Sequence, residues 1–115
     1  MLNMMTTTIA KDRQLVTLIN VFKVSPEHQQ ELVDVLVEAT KSTMRRLPGF
    51  ISANIHRGLD GTRVANYAQW KSREAFEAML ANPEAQAHME AATRVATAEP
   101  VLYEVAYVDG LGEDG

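Results

Sequence analysis

The run Phe50-Ile51-Ser52-Ala53-Asn54-Ile55-His56-Arg57-Gly58-Leu59-Asp60-Gly61-Thr62-Arg63-Val64-Ala65-Asn66-Tyr67-Ala68-Gln69-Trp70 reads as a β-hairpin. Two strand-length segments, Phe50 to Arg57 and Thr62 to Trp70, flank Gly58-Leu59-Asp60-Gly61, which supplies the turn chemistry. Upstream, Pro48-Gly49 stops a helix on which Leu32, Leu36, Ala39, Thr43 and Leu47 recur at helical spacing. Ser25-Pro26-Glu27 opens that helix with a capping residue, a proline at the first position and an acid near the positive end. Before it, Leu15 to Val24 is rich in β-branched and large apolar residues, the mark of a buried strand. Downstream, Ser72 caps a short helix with Ala75, Phe76, Met79 and Leu80 on one side. Asn82-Pro83-Glu84 opens another, which runs to about Val95; Pro100 is its stop, and Val101 to Val108 is the fourth strand. The order β-α-β-β-α-α-β predicts an α+β, ferredoxin-like protomer with an antiparallel sheet and helices on one face. The domain is expected over residues 14–109, between flexible tails at 1–13 and 110–115.

Length and composition bound the function. A chain of 115 residues holds one domain. It has no cysteine, so disulfides, thiolate nucleophiles and sulfur-ligated metal sites are excluded. Eleven Lys and Arg against fifteen Asp and Glu leave a net charge of −4, with no local basic run, so no nucleic-acid partner is expected. No apolar run approaches the roughly 20 residues of a membrane helix, and Met1 to Arg13 has no continuous apolar stretch like that of a signal peptide. A cytoplasmic location without membrane contact is the expectation.

Both faces of the first predicted strand are apolar: Val16, Leu18, Phe22 and Val24 on one side, Leu15, Ile19 and Val21 on the other. Helices cover only one face in this plan. A second copy is the simplest cover for the other, which predicts a homodimer.

Polar residues on apolar faces carry the functional signal. Strand alternation aligns Val64, Asn66, Ala68 and Trp70, and Asn20 interrupts the Leu18–Phe22 face in the same way. A buried amide must find partners or cost a few kcal/mol. Either Asn20 and Asn66 satisfy each other or the backbone, or they line a pocket whose occupant supplies the missing bonds. Phe22, Phe76 and Met79 are candidates for the apolar wall of such a pocket. His56 is in phase with Ser52 and Asn54 near the hairpin end; His88 lies beside Met89 within reach of the sheet. His28, His56 and His88 have no ligand-like spacing, so no metal site is expected. Nucleophile-elbow and phosphate-loop signatures are absent.

The segments Pro48-Gly49-Phe50-Ile51-Ser52-Ala53, His56, Asp60-Gly61-Thr62 and Asn66-Tyr67-Ala68-Gln69-Trp70 resemble the antibiotic biosynthesis monooxygenase family. The likeness is densest from Leu47 to Phe76 and points to the anthrone oxygenases of aromatic polyketide pathways. It implies a dimeric α+β barrel that works with neither metal nor organic cofactor. Asn66, Trp70 and Asn20 then match residues implicated in substrate and oxygen handling, and His56 matches a histidine near the pocket. Phe76 stands where close relatives carry tyrosine, which removes one hydroxyl donor. The resemblance implies a cofactor-independent monooxygenase that oxidises an anthrone- or naphthacenone-type intermediate to a quinone with dioxygen. The alternatives are a quinol monooxygenase, another small-molecule enzyme of the family, or a dimeric carrier of a hydrophobic ligand without catalysis.

Overall fold

The computed structural model describes residues 5–112. Its elements are β1 (Val16–Val24), α1 (Gln29–Ser42), β2 (Phe50–Arg57), β3 (Arg63–Trp70), α2 (Arg73–Leu80), α3 (Pro83–Thr93) and β4 (Ala96–Tyr103). The strands form one antiparallel sheet in the order β2-β3-β1-β4, the ferredoxin-like arrangement. The β2–β3 turn is held by the Asp60 carboxylate, which accepts from the Thr62 amide at 2.9 Å and the Thr62 hydroxyl at 2.8 Å. Those two bonds hold the Asp60 carboxyl below the usual carboxylate range. The Gln29 amide donates to the carbonyls of Gly58 (2.9 Å) and Arg63 (3.0 Å), fixing the start of α1 to the hairpin.

The helix caps follow local chemistry. The Ser72 hydroxyl accepts from the Ala75 amide and Asn82 Oδ1 from the Ala85 amide, with Pro83 next in line. Ser25 also precedes a proline-led turn (Pro26–His28), but its side chain makes no capping bond. The long first helix differs from expectation: α1 ends at Ser42, and a single 3-10 turn, Met44–Arg46, carries the chain to Leu47. Thr43 at the break is buried.

The last strand is displaced from the prediction. α3 ends at Thr93, and β4 occupies Ala96–Tyr103 with Pro100 inside it, not ahead of it. Its position at the sheet edge explains this, because an edge strand pairs on one side only and tolerates a residue without an N–H. Residues 104–112 carry no strand. Of the expected tails, residues 1–4 and 113–115 lie outside the described residues. The described part of the first tail has no helix or strand, yet it touches the sheet: the Thr7 hydroxyl bonds Asn54 Oδ1 at 2.8 Å, and the Thr8 carbonyl accepts from the Gln69 amide at 2.8 Å.

Under the helices the core divides in two. Leu18, Ala68, Trp70, Phe76, Met79 and Ala85 form one cluster. Phe22, Val24, Leu32, Val64 and Ala92 form the other. Along β1 the dividing residue is Asn20, between Leu18 and Phe22; along β3 it is Asn66, between Ala68 and Val64. The two asparagines are cross-strand partners. A pair of amides therefore interrupts the core at its centre.

Candidate active site

A cavity of about 120 Å³ lies at that interruption, between the sheet and the helices. Leu18, Asn20, Phe22 and Asn66 form its floor, with Ala98 and Pro100 of β4 beside them. Phe76, Met79 and Leu80 of α2 and His88, Met89 and Ala92 of α3 form the roof; Leu36, Ala39 and Met44 close the side. Three larger concavities, about 650, 580 and 520 Å³, are more open to solvent and contain none of Asn20, Phe22, His56, Asn66, Trp70, Phe76 or Met79; the third is bordered by His88.

The polar atoms of the floor are unevenly satisfied. Asn20 Oδ1 accepts from the Glu99 amide of β4 at 3.1 Å, so the amide offers its NH2 as donors. Asn66 makes no side-chain hydrogen bond among the described residues, and its Oδ1 is buried without a partner. The two asparagines do not bond each other: Asn20 finds a backbone partner, as the first reading allows, and Asn66 finds none among the described residues. Trp70 Nε1 and, away from the cavity, Thr17 Oγ1 are likewise buried without a partner among the described residues. Native interiors leave few such groups unpaired, at about 1–3 kcal/mol each.

Five of the candidates converge: Asn20, Phe22, Asn66, Phe76 and Met79 all line the cavity. Trp70 shares their side of the sheet but packs in the adjoining core cluster, edge-on to Phe50 with ring centroids 5.6 Å apart. His56 departs from the expected place near the pocket. Ile55 pairs with Asn66, so alternation turns His56 to the opposite face, where it is exposed and its Nδ1 lies 3.1 Å from the Asn54 carbonyl. A bulge between Phe50 and Ser52 lets Phe50 share the helix-side face with Trp70.

The structure adds residues that sequence reading missed. His88 is part of the cavity wall, and its Nε2 lies 3.0 Å from Thr43 Oγ1 and 3.3 Å from Ser42 Oγ. The Thr43 hydroxyl donates to Glu84 Oε2 at 3.2 Å. The available signals were a threonine on the buried stripe of α1 and a histidine beside Met89. Among the described residues, no three His, Asp or Glu side chains gather as a metal-ligand set. No helix there is long and apolar enough to cross a membrane.

Known proteins share this architecture. The family described as antibiotic biosynthesis monooxygenase matches residues 15–91. Over 103 residues the chain is 45% identical to the tetracenomycin-F1 monooxygenase of Streptomyces glaucescens, covering 90% of this chain and 92% of that protein. SnoaB, a cofactor-independent oxygenase from Streptomyces nogalater, superposes with a TM-score of 0.73 at 28% identity, over 84% of this chain and 97% of SnoaB. The ActVA-Orf6 monooxygenase of Streptomyces coelicolor, solved with nanaomycin D, gives a TM-score of 0.69 at 29% identity, over 83% and 92% of the two chains. The family match runs from β1 through the hairpin to the helices roofing the cavity: the chain belongs to the antibiotic biosynthesis monooxygenase family.

Proposed function

We propose that this monooxygenase oxidises an aromatic polyketide intermediate of the anthrone or naphthacenone type to a quinone with dioxygen, without metal or organic cofactor. The observation that carries the reading is an apolar cavity with unpartnered polar atoms at and beside its floor, Asn66 Oδ1 and Trp70 Nε1. The names of the relatives, a tetracenomycin-F1 monooxygenase and a cofactor-independent oxygenase, support oxidation of a polyketide and chemistry without a cofactor.

The chemistry asks little of a cofactor. Triplet dioxygen reacts slowly with a closed-shell phenol, but a deprotonated anthrone can pass it one electron. The resulting radical pair joins at the ring carbon to give a peroxide. Loss of the second hydrogen on that carbon, with O–O cleavage, leaves a carbonyl and one water. The protein must then exclude bulk water, hold the rings and stabilise the anion. The Asn20 and Asn66 amides and the Trp70 indole are neutral donors that stabilise an enolate or peroxide oxygen without protonating it. The cavity is smaller than the ~300–1,000 Å³ of ordinary ligand sites, so the substrate widens it by displacing flexible side chains such as Met79 and Met89.

Oxygen consumption by exhaustively chelated protein is the test. An anthrone should be converted to its quinone with one dioxygen consumed per product, faster than a simple hydroquinone. No uptake above the spontaneous rate would leave a carrier without catalysis, and activity restored only by an added metal would overturn the cofactor-free chemistry.

The reading includes a homodimer. On the face away from the helices, Asn54, Tyr67, Ile19 and Val101 form a row across all four strands, and Val101 and Tyr103 are 43% and 47% exposed. A second copy would remove Tyr67, Ile19, Val101 and Tyr103 from water. Sedimentation at micromolar concentration should show a dimer; a monodisperse monomer would contradict it.

A further inference from the structure

We propose that His88 is the proton acceptor of this cavity, with Nδ1 as the accepting atom and Thr43, Ser42 and Glu84 as the groups that fix its protonation pattern. The inference rests on the oxygenase reading above and adds a residue to it. Among the described residues that line the cavity, His88 is the only titratable side chain. Phe76, without a hydroxyl, takes no part in proton transfer.

The hydrogen bonds determine which ring nitrogen carries the proton. A carboxylate only accepts, so the 3.2 Å contact to Glu84 Oε2 uses the single proton of the Thr43 hydroxyl. The Ser42 hydroxyl uses its own on the Glu38 carbonyl at 2.8 Å. Both oxygens that face His88 Nε2, at 3.0 and 3.3 Å, are therefore acceptors toward it. Nε2 must be the N–H, and in the neutral ring Nδ1 keeps the lone pair. Nδ1 has no partner among the described residues. The arrangement is that of a histidine base whose far nitrogen is held by an orienting group, here through a hydroxyl relay to a carboxylate.

The proton balance is complete. Nδ1 takes one proton from the ring CH2, leaving the carbanion that donates an electron to dioxygen. The imidazolium so formed donates through Nε2 to Thr43, whose hydroxyl bonds the Glu84 carboxylate, and it returns its proton to the departing peroxide oxygen. The second hydrogen of the same carbon leaves as a proton when the carbonyl forms, and it completes the water. Dioxygen is the oxidant, and Nδ1 is neutral again at the end of the cycle.

Steady-state kinetics with an anthrone and its ring-CD2 form test this, alongside long-range ¹⁵N–¹H correlation spectra of the full chain. The spectra should show His88 as the Nε2–H tautomer in wild type and as a mixture in Thr43→Val; an Nδ1–H ring in wild type would overturn the assignment. His88→Gln should lower kcat by about 10²-fold with little change in KM, raise the deuterium isotope effect, and be partly rescued by added imidazole. Thr43→Val should lower kcat less, with Thr43→Ser close to wild type. An active wild type beside a His88→Gln of nearly equal kcat and isotope effect would remove His88 from the proton path. A wild type inert toward anthrone would instead overturn the oxygenase reading itself, whatever the tautomer.

Discussion

Asn66→Ala is expected to lower kcat by roughly 10²–10³, the usual cost of one well-placed oxyanion donor, without lowering the melting temperature. The second half of that expectation separates function from structure. A buried asparagine that serves the fold makes hydrogen bonds, and its loss destabilises. Asn66 makes none with its side chain among the described residues, and its Oδ1 is an unpaired acceptor. Truncation removes a group that costs about 1–3 kcal/mol to bury, so stability should hold or rise while turnover collapses. Trp70→Phe should cost less than Trp70→Ala, because the smaller ring keeps most of the packing and loses the indole donor. His56→Ala should stay within a few-fold of wild type, as its ring is on the solvent side of the sheet. Steady-state oxygen uptake and thermal melts on these variants are the measurement. A normal kcat with a lowered melting temperature for Asn66→Ala would make the residue structural.

The parts of this molecule that were legible in its sequence are those governed by neighbours in the chain. Ser72 and Asn82 cap helices by reaching three residues ahead, and Asp60 closes its turn on Thr62, so each can be recognised within a short window. Alternation likewise put Asn66 and Asn20 on core-facing sides before any pairing was known. What failed to read locally depends on the sheet as a whole. Pro100 looks like a helix stop until β4 is known to lie at the edge, where proline is tolerated. His56 can be assigned a face only once Ile55 is registered opposite Asn66. The Glu84–Thr43–His88 relay joins α3 to the end of α1 across more than forty residues, and no spacing rule connects them. Thr43 looked like a weak member of an apolar stripe; the helix breaks there, and its hydroxyl is the link between the other two.

Gly49→Ala should damage the fold severely for a one-carbon change, at about 2–5 kcal/mol. Gly49 adopts φ +86°, a region where a β-carbon costs about 1–2 kcal/mol. A Cβ added there would collide with the Cβ of Ala75 in α2, and forcing an extra methyl into a packed contact typically costs a further 1–3 kcal/mol or so. For a domain of this size the sum corresponds to a fall in melting temperature of about 10–20 °C. The backbone has little room to yield, because the Gly49 carbonyl accepts from the Lys71 amide at 2.7 Å and ties the start of β2 to the end of β3. Relief must come from α2, whose next residues, Phe76 and Met79, form the cavity roof. Activity should therefore fall further than stability alone explains, with KM rising as the roof shifts. A double-variant cycle separates the two causes. Ala75→Gly should cost about 1 kcal/mol in the wild-type helix through lost propensity. In the Gly49→Ala background it should instead recover stability, since it removes the colliding atom. An equal cost of Ala75→Gly in both backgrounds would show that the strain is in the backbone alone and that α2 is not pressed against Gly49.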